Sequence, residues 1–236
     1  MSSAVLHKAQ MAILYALRHT NAARFSELMR PTGLQSDAFK FHVRKLVTLG
    51  YVEKMPSGAY TLTASGKEFA NNLDKHKRAI QQQPKLSAYL VITRAGDGGV
   101  PQYLFQKRLR NPFYGFWGCM SGPVRWGEEP EETAARELHK QTGLTATFSV
   151  AAFCRTKDYE IQTGTLLEDK LFVILMAHDV RGDPANTWAG GRSTWMTLDE
   201  LHAEPHHFAM TDKVIAMVRE GKTYASETVR YDAAAY

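Results

Sequence analysis

The sequence predicts a protein of two domains. The N-terminal domain is mostly α-helical with one short β-hairpin, and the C-terminal domain is an α/β/α (α+β) sandwich with a sheet between helices. The chain has 236 residues, which is comfortable for two domains because a domain usually contains roughly 100–150 residues. Near residue 82 the apolar pattern changes from helical spacing to alternating strands and helices. The predicted domains are therefore 1–82, which includes a linker helix, and 83–221, followed by a C-terminal tail, 222–236.

Charge is distributed unevenly between these domains. Residues 1–84 contain 12 Lys/Arg and 5 Asp/Glu, a net charge of +7, whereas the remainder contains 17 and 19, a net charge of −2. The formal net charge of +5 therefore comes from the first third of the chain. This asymmetry indicates that the N-terminal domain faces a polyanion; a merely well-solvated domain is the alternative.

The composition is that of a soluble globular protein, with 44% hydrophobic and 22% charged residues. No apolar run approaches the roughly 20 residues that span a bilayer, and Lys8 and Arg18 interrupt the N-terminal apolar stretch, which argues against a secretory signal. Cys119 and Cys154 give neither a disulfide framework nor metal-ligand spacing, so we expect buried thiols. These features predict a cytoplasmic protein without a membrane partner.

The first domain is predicted to contain helices around one hairpin. Helical spacing of apolar residues marks "HKAQMAILYALRHT" and the short "RFSELMRP", which Pro31 ends. A third helix follows in "LQSDAFKFHVRKLVTLG", with Ser36 as its expected N-cap and Phe39, Val43 and Leu46 on its apolar face. Next, "YVEKMPSGAYTLT" alternates as two strands around a turn, "ASGKEFANNL" resumes a helix, and 74–85 is typical of a linker.

This order of elements resembles the winged helix-turn-helix family of DNA-binding domains over about residues 4–75. The pieces "HVRKLVTLGYVEK" and "YTLTASGKEF" carry the likeness. The resemblance implies that the third helix enters the major groove and that the hairpin, or wing, lies along the DNA backbone. The DNA-binding residues then expected are Ser36, Lys40, Phe41, Arg44, Lys45 and Lys54. Double-stranded DNA is the expected partner, bound by a homodimer without any cofactor; a protein-binding or oligomerisation module is the alternative.

The second domain is predicted to alternate strands with helices. The strands "LSAYLVITRA" and "PQYLFQKR" flank the turn "GDGGV", and 129–142 form an amphipathic helix. The strands "TATFSVAAFC" and "KLFVILMAHDV" follow, and the second is apolar enough to be buried on both faces. "STWMTLDELH" then leads from a strand into a helix, and "TDKVIAMVREG" is a closing helix.

Within this domain, residues 122–144 have the sequence "GPVRWGEEPEETAARELHKQTGL". The segment resembles the Nudix box, the signature of hydrolases that cleave nucleoside diphosphates linked to another moiety. With "YGFWGCM" before it and "STWMTLDEL" after it, the resemblance covers about residues 86–221. In the family, three glutamates of the box helix bind magnesium; the positions that match them here are Glu137, Lys140 and Gln141.

One carboxylate of the three therefore remains. Magnesium prefers oxygen ligands, mostly carboxylates, water and phosphate, and a lysine beside it is repulsive. Two unit charges 4 Å apart interact by roughly 4 kcal/mol at an effective dielectric near 20. We therefore expect weak or absent metal binding at Glu137, with Gln141 able to offer only a neutral oxygen. Lys140 is expected either to neutralise a ligand phosphate or to face solvent.

The rest of the box is better explained by structure than by catalysis. Glu128 and Arg136 are expected to pair and hold the loop before the helix. Only if the domain is active are they expected to act in catalysis with Glu137, and the cofactor would then be Mg²⁺ or Mn²⁺. Gly122, Gly127 and Gly143 are expected in turns and a helix C-cap. Acids elsewhere that could restore a metal site are Glu131, Glu132, Glu160, Glu168 and Asp169. The histidines His206 and His207 are expected at the surface.

Candidate ligand-binding residues are Lys140, Arg108, Trp117 and Tyr159. Arg110 and Arg155 are further phosphate candidates, and a base could stack on one of the aromatic residues near the box, namely Phe113, Tyr114, Phe116 and Trp126.

Three functions are compatible with these patterns. The first is a transcriptional regulator whose catalytically weakened Nudix domain binds a nucleoside-diphosphate-type metabolite and controls DNA binding. The second is an active Mg²⁺-dependent hydrolase of nucleoside diphosphate derivatives with an N-terminal DNA- or protein-binding domain. The third is a non-catalytic interaction module.

Overall fold

A computed structural model describes residues 6–74, 81–185, 187–232, 234 and 236. The chain divides into two compact units, Met1–Gln82 and Gln83–Tyr236, and each is described by itself. Most of the predicted linker, residues 75–80, lies outside the described residues. Within the part of the chain that the structure describes, every helix is too short or too polar to serve as a membrane span.

The N-terminal unit contains four α-helices and a two-stranded sheet. Its elements are α1 (Lys8–Arg18), α2 (Phe25–Met29), a 3₁₀ turn (Arg30–Thr32), α3 (Ser36–Thr48), β1 (Val52–Lys54), β2 (Tyr60–Leu62) and α4 (Ala64–Asn71). The apolar face predicted for α3 is buried, because Phe39, Val43 and Leu46 join one core with residues of α1 and β2. One local detail is corrected: Gln35, without a side-chain cap, occupies the N-cap position, and Ser36 is the first helical residue.

The hairpin is antiparallel, with Val52 opposite Leu62 and Lys54 opposite Tyr60. Gly58, with a φ of 84°, lies in its turn, where a left-handed backbone favours glycine. Ala23 adds an isolated bridge to β2, since its amide donates to the Tyr60 carbonyl over 3.0 Å and its carbonyl accepts from the Tyr60 amide over 2.9 Å. The hairpin is thereby joined to the segment between α1 and α2.

The C-terminal unit has two five-stranded sheets and three α-helices. The strands are β3 (Lys85–Val91), β4 (Thr93–Ala95), β5 (Pro101–Arg108), β6 (Trp117–Cys119), β7 (Ser121–Pro123), β8 (Thr145–Glu160), β9 (Leu166–Arg181), β10 (Thr187–Trp188), β11 (Gly191–Met196) and β12 (Tyr224–Tyr231). The helices are α5 (Pro130–Thr142), α6 (Leu198–Ala203) and α7 (Ala209–Arg219), and a 3₁₀ turn lies at Asp97–Gly99. One sheet has the order β12-β8-β9-β3-β7; the other has the order β10-β11-β5-β4, and β6 also pairs with β5.

The first of these sheets is buried on both faces. Along β3, Ala88 and Leu90 pack in a core that contains α5, whereas Tyr89 and Val91 pack in a second core that contains α7. The residues of β9 alternate in the same way, because successive side chains of a strand point to opposite faces. This layering is the predicted α/β/α sandwich.

The segment expected to be a C-terminal tail needs correction, because most of it belongs to this sheet. Tyr224–Tyr231 form β12, which pairs in parallel with β8 from Tyr224 opposite Phe153 to Tyr231 opposite Glu160. Its side chains alternate between exposed and half-buried, as expected for a strand at the edge of a sheet.

Candidate functional site

The box helix α5 buries its one remaining metal-ligand position. Glu137 is only 3% exposed and packs against β7 at Gly122. A Cβ atom on Gly122 would lie 2.4 Å from Glu137 Cγ, which is closer than nonbonded carbon atoms can approach. Gly122 is therefore required for this close contact rather than for the turn that the sequence suggested, whereas Gly127 (φ 80°) and Gly143 (φ 75°) do adopt left-handed conformations.

The carboxylate of Glu137 is surrounded by donors from its own helix. Gln141 Nε2 donates to Glu137 Oε2 over 2.7 Å, Arg136 Nη1 contacts Oε1, and Lys140 Nζ lies 3.5 Å from Oε2. Burial alone would raise the pKa of Glu137, but the Gln141 hydrogen bond and the charges of Lys140 and Arg136 outweigh it, so the pKa lies below its usual range. Glu137 is thus an ionised carboxylate whose charge is already compensated without a metal ion.

The side-chain oxygen of Gln141 is also engaged. Gln141 is 2% exposed, and its Oε1 accepts from Gln106 Nε2 over 2.9 Å. Gln106 Nε2 also lies 3.3 Å from Ser193 Oγ. The side-chain oxygen that Gln141 was expected to offer to a metal ion instead accepts a hydrogen bond from Gln106 on β5.

Lys140 is placed at the edge of this network. Its side chain is 52% exposed, and its ammonium lies 5.2 Å from the centre of the Trp188 ring. Lys140 does not line the cavity described below. Its charge is directed towards Glu137 and Trp188, so the role expected for it in contacting a ligand phosphate finds no support in the geometry.

Glu128 and Arg136 form the expected pair that holds the loop before α5. Arg136 donates to the two Glu128 oxygens over 2.7 and 2.8 Å, and Thr133 Oγ1 donates to Glu128 Oε2 over 2.7 Å. The Arg136 hydrogen bonds lower the pKa of Glu128 to about 2. Arg136 also donates to the Pro123 carbonyl over 3.3 Å, which ties the loop to the helix.

The other candidate acids do not rebuild a metal site beside Glu137. Glu160 accepts from the amides of its own turn, Glu132 closes the N-terminal capping box of α5, and Asp169 pairs with Arg155 over 2.8 Å. Arg155 is therefore already paired. Among the described residues, no group of three close His, Cys, Asp or Glu ligands includes Glu137.

A cavity of about 350 Å³ opens beside the box, between the two sheets. Gln106, Ser121 and Gly122 line it, so it reaches the hydrogen-bond network of Glu137. Its charged lining consists of Lys85, Arg108, Arg110, Lys170, Asp158 and Glu168. Four cations thus face two carboxylates, which makes the cavity attractive to anions.

Two of these cations already contact the carboxylates of the cavity. Lys85 Nζ donates to Glu168 over 2.7 and 3.0 Å, and Lys170 Nζ lies 3.5 Å from Asp158 and 3.9 Å from Glu168. Tyr236 also donates its hydroxyl to Glu168 over 3.0 Å. Burial raises the pKa of Asp158 despite the Lys170 charge.

The two cavity arginines form no ion pair with any residue that the structure describes. Arg108 Nε donates to the Pro112 carbonyl over 3.0 Å, and Arg110 lies 5.7 Å from the Trp188 ring centre. Burial and the neighbouring Arg110 charge lower the pKa of Arg108 despite the opposing effect of the Glu168 charge. Both arginines line the cavity.

Two predicted ligand residues lie elsewhere. Trp117 is 1% exposed within the α7 core, with Lys107 and Arg192 each 5.7 Å from its ring centre. Tyr159 follows the cavity residue Asp158 along β8, so it projects from the opposite face and does not line the cavity. Of the aromatic residues predicted around the box, Phe113 does line the cavity, whereas Trp126 is 99% exposed.

Sequence patterns missed Lys85, Lys170 and Asp158. Lys85 and Lys170 face each other across β3 and β9, and Asp158 is opposite Glu168 across β8 and β9. The weak signal was a charged residue next to an apolar run: Lys85 begins β3, and Lys170 precedes the apolar part of β9. Cys119 also lines the cavity; burial raises its pKa to about 12, so it offers no thiolate nucleophile at neutral pH.

Comparison with known proteins agrees with the fold and the box. The profile of the NUDIX domain family matches residues 84–217, more than half of the chain. The chain therefore belongs to the NUDIX domain family.

Individual relatives are distant. An isopentenyl-diphosphate Delta-isomerase of Cereibacter sphaeroides is 28% identical over 142 residues, which cover 56% of this chain and 72% of that protein. Among solved structures, the NUDIX domain of Shewanella oneidensis NrtR in complex with ADP ribose aligns with a TM-score of 0.51 at 19% identity, over 67% of this chain and 98% of that one. A MutT protein from Bacillus halodurans aligns with a TM-score of 0.50 at 17% identity, over 64% and 93%. At these identities the two structural likenesses establish the fold alone.

Proposed function

We propose that this chain is a ligand-responsive transcriptional regulator. Its NUDIX unit binds a nucleoside-diphosphate-type metabolite without hydrolysing it, and its N-terminal unit is a winged helix whose binding to double-stranded DNA depends on that metabolite. The observation that carries the proposal is the contrast between Glu137, which its helix neighbours already neutralise, and the unpaired guanidinium groups of Arg108 and Arg110. The box keeps one of its three metal-ligand carboxylates, and that one is already compensated, whereas the cavity keeps two arginines for a diphosphate.

The proposed ligand contact uses the geometry of arginine. A guanidinium group presents parallel N–H donors that match two phosphate oxygens, and Arg108 and Arg110 lie two residues apart at the cavity. The apolar wall formed by Phe113, Phe172 and Phe208 then suits the organic part of the metabolite. ADP-ribose and isopentenyl diphosphate are the first compounds to try, since both contain a diphosphate and both occur in the names of similar proteins.

The proposed DNA contact uses the free face of α3. Lys40, Arg44 and Lys45 are exposed and, within the described residues, form no ion pair, and Phe41 between them is 65% exposed. The hairpin follows this helix directly and carries an exposed Lys54, and the Ala23 bridge to β2 supports the winged-helix assignment. In such domains the third helix enters the major groove, and Ser36 at its first turn and Lys54 on the wing would contact phosphates.

Calorimetry and chromatography on the full chain test the ligand and the missing hydrolysis together. We expect ADP-ribose or another nucleoside diphosphate derivative to bind equally with and without Mg²⁺ or Mn²⁺, and to remain intact after prolonged incubation. The active-hydrolase alternative predicts turnover that requires the metal. Metal-dependent turnover that is lost in Glu137→Gln would overturn the proposal.

DNA binding is tested on operator fragments selected from random duplexes. Lys40→Ala and Arg44→Ala should weaken binding and reduce the slope of log affinity against log salt by about 1 for each lost phosphate contact. Lys67→Ala is the matched control, because Lys67 is an exposed lysine on α4 of the same unit. If wild type associates with no duplex in a salt-sensitive manner, the N-terminal unit is an interaction module instead.

Regulation and assembly need two further measurements. The affinity for the selected operator should change at least several-fold when the bound compound is added, and an Arg108→Met variant should lose that response. Sedimentation should find a homodimer on DNA, because operator-binding modules of this kind usually occupy two half-sites. An operator affinity that no diphosphate compound changes would contradict the regulatory part of the proposal.

A further inference from the structure

Three potential metal ligands meet at the junction between α6 and α7, outside the cavity. His202 Nε2 lies 2.6 Å from Asp212 Oδ1, and the ring centres of His202 and His207 are 5.6 Å apart. One ligand atom from each of the three residues lies within 4.8 Å of the others. Among the described residues this is the one such group of three His, Cys, Asp or Glu side chains.

The backbone that carries His207 is fixed from both sides. The Trp117 amide donates to the His206 carbonyl over 2.9 Å, and the Phe208 amide donates to the Trp117 carbonyl over 2.9 Å. The segment can approach β6 this closely because Gly118 has no side chain; a Cβ there would lie 2.9 Å from Thr211 Oγ1. His207 is therefore held in place by contacts that do not involve its own ring.

Asp212 is positioned in a comparable way. The preceding residue, Thr211, is fully buried, and its hydroxyl hydrogen-bonds to the Tyr89 hydroxyl over 3.0 Å. This contact fixes the first turn of α7 against β3 and leaves the half-buried Asp212 pointing towards His202. The third ligand, His202, is exposed in the last turn of α6 and has the freedom to adjust.

We propose that His202, His207 and Asp212 bind one divalent transition-metal ion of the zinc class. Two imidazoles and a carboxylate are ligands that zinc and its neighbours accept, at bond lengths of about 2.0–2.2 Å, and a tetrahedral ion would leave one position for water. Rotation of the exposed His202 ring widens its contact with Asp212 to the roughly 3.3 Å that two such ligands require around one ion. His207 Nδ1 lies 3.4 Å from the Glu204 carbonyl oxygen, a contact of the kind that orients ligating histidines.

An ion pair between His202 and Asp212 would by itself join the two helices, but it does not need His207. A metal ion uses all three residues. It holds the chain at His207, just before Phe208, and at Asp212, just after Met210, and both Phe208 and Met210 line the cavity. The ion therefore stabilises one wall of the cavity without contacting the diphosphate site. This inference is independent of the proposed regulatory function.

The test uses the untagged full chain with Zn²⁺ in calorimetry and Co²⁺ in visible absorption. We expect one ion per chain, and Co²⁺ bands that indicate nitrogen and oxygen ligands. His207→Ala and Asp212→Asn should each lower the affinity roughly 100-fold or more, because even outer contacts of metal ligands are worth 10- to 100-fold. The matched control His206→Ala, an exposed neighbour outside the group, should bind as wild type does.

Thermal unfolding without metal establishes that each variant is folded, and Zn²⁺ should raise the unfolding temperature of wild type and His206→Ala only. Unchanged affinity in His207→Ala would overturn the proposal. Loss of binding in a His7→Ala, His42→Ala variant would also overturn it, because those two rings stack at 4.4 Å in the N-terminal unit and are the rival site.

Discussion

Replacement of Gln141 by glutamate tests the electrostatic interpretation of the box helix. In the folded protein Gln141 Nε2 donates to Glu137 Oε2 over 2.7 Å, and the substitution puts a second carboxylate in that contact. Two unit charges 4 Å apart repel by roughly 4 kcal/mol at an effective dielectric near 20, and the lost hydrogen bond removes about 1 kcal/mol more. The charges of Arg136 and Lys140 offset part of this, so we expect a net destabilisation of about 3 kcal/mol at pH 8.

The assay is thermal unfolding as a function of pH and magnesium. A loss of about 3 kcal/mol lowers the unfolding temperature by roughly 6–12 °C for a unit of this size. Repulsion raises the pKa of the carboxylate pair above its unfolded value, so the penalty is present at pH 8 and disappears as the pH falls through that raised pKa. Magnesium should restore stability to Gln141→Glu, because the pair then resembles a metal site, and should leave wild type unchanged.

Gln141→Met is the control, since it removes the hydrogen bonds without adding charge. Its destabilisation should not depend on magnesium, and it should grow less towards pH 8 than that of Gln141→Glu because no second carboxylate repels Glu137. The reasoning is refuted if magnesium stabilises wild type as strongly as Gln141→Glu, or if the glutamate variant is as stable as wild type at pH 8.

Three further outcomes are expected. Gly122→Ala should destabilise the protein by about 1–3 kcal/mol in urea unfolding, because the added Cβ lies 2.4 Å from Glu137 Cγ; wild-type stability would contradict this close contact. The lowered pKa of Glu128, about 2, contributes stability that is present above the unfolded pKa near 4.3 and is lost as the pH falls through the folded pKa. Glu128→Gln should lack this acid-dependent loss of stability in unfolding scans from pH 5 to 2. A pH profile identical to that of wild type would count against the Glu128–Arg136 pair. Arg108→Met should weaken binding of a diphosphate compound roughly 10- to 100-fold in calorimetry. Arg155→Met, which removes an arginine paired with Asp169, should leave the affinity unchanged. Equal losses in the two variants would argue against the cavity as the diphosphate-binding site.

Local features of the C-terminal unit could be predicted from the sequence. The helix α5, its end at Gly143 and the Glu128–Arg136 pair follow from spacing along one helix and the loop before it. The burial of β9 on both faces followed from its continuous apolar run. These features depend on residues close in sequence, where helical and strand periodicity determine which side chains share a face.

Features that depend on strand pairing could not be predicted. Lys85 and Lys170 meet because β3 and β9 pair in parallel with these residues in register, and nothing in either strand alone specifies that register. Tyr159 was selected for its position downstream of the box, and that position alone did not show that it lies on the face of β8 opposite the cavity residue Asp158. Similarly, β12 is a strand through its pairing with β8, and its alternating residues gave too weak a signal on their own.

The amide pair of Gln106 and Gln141 has a consequence for how this domain can change. Gln106 belongs to β5 and Gln141 to α5, so their hydrogen bond joins a helix to a sheet. Gln141 stands at the position that matches a metal-ligand glutamate of the box. A single substitution back to an acid would loosen that attachment before any ion was gained. Selection for a firmly folded chain is therefore enough to keep glutamine at this position, independently of any ligand.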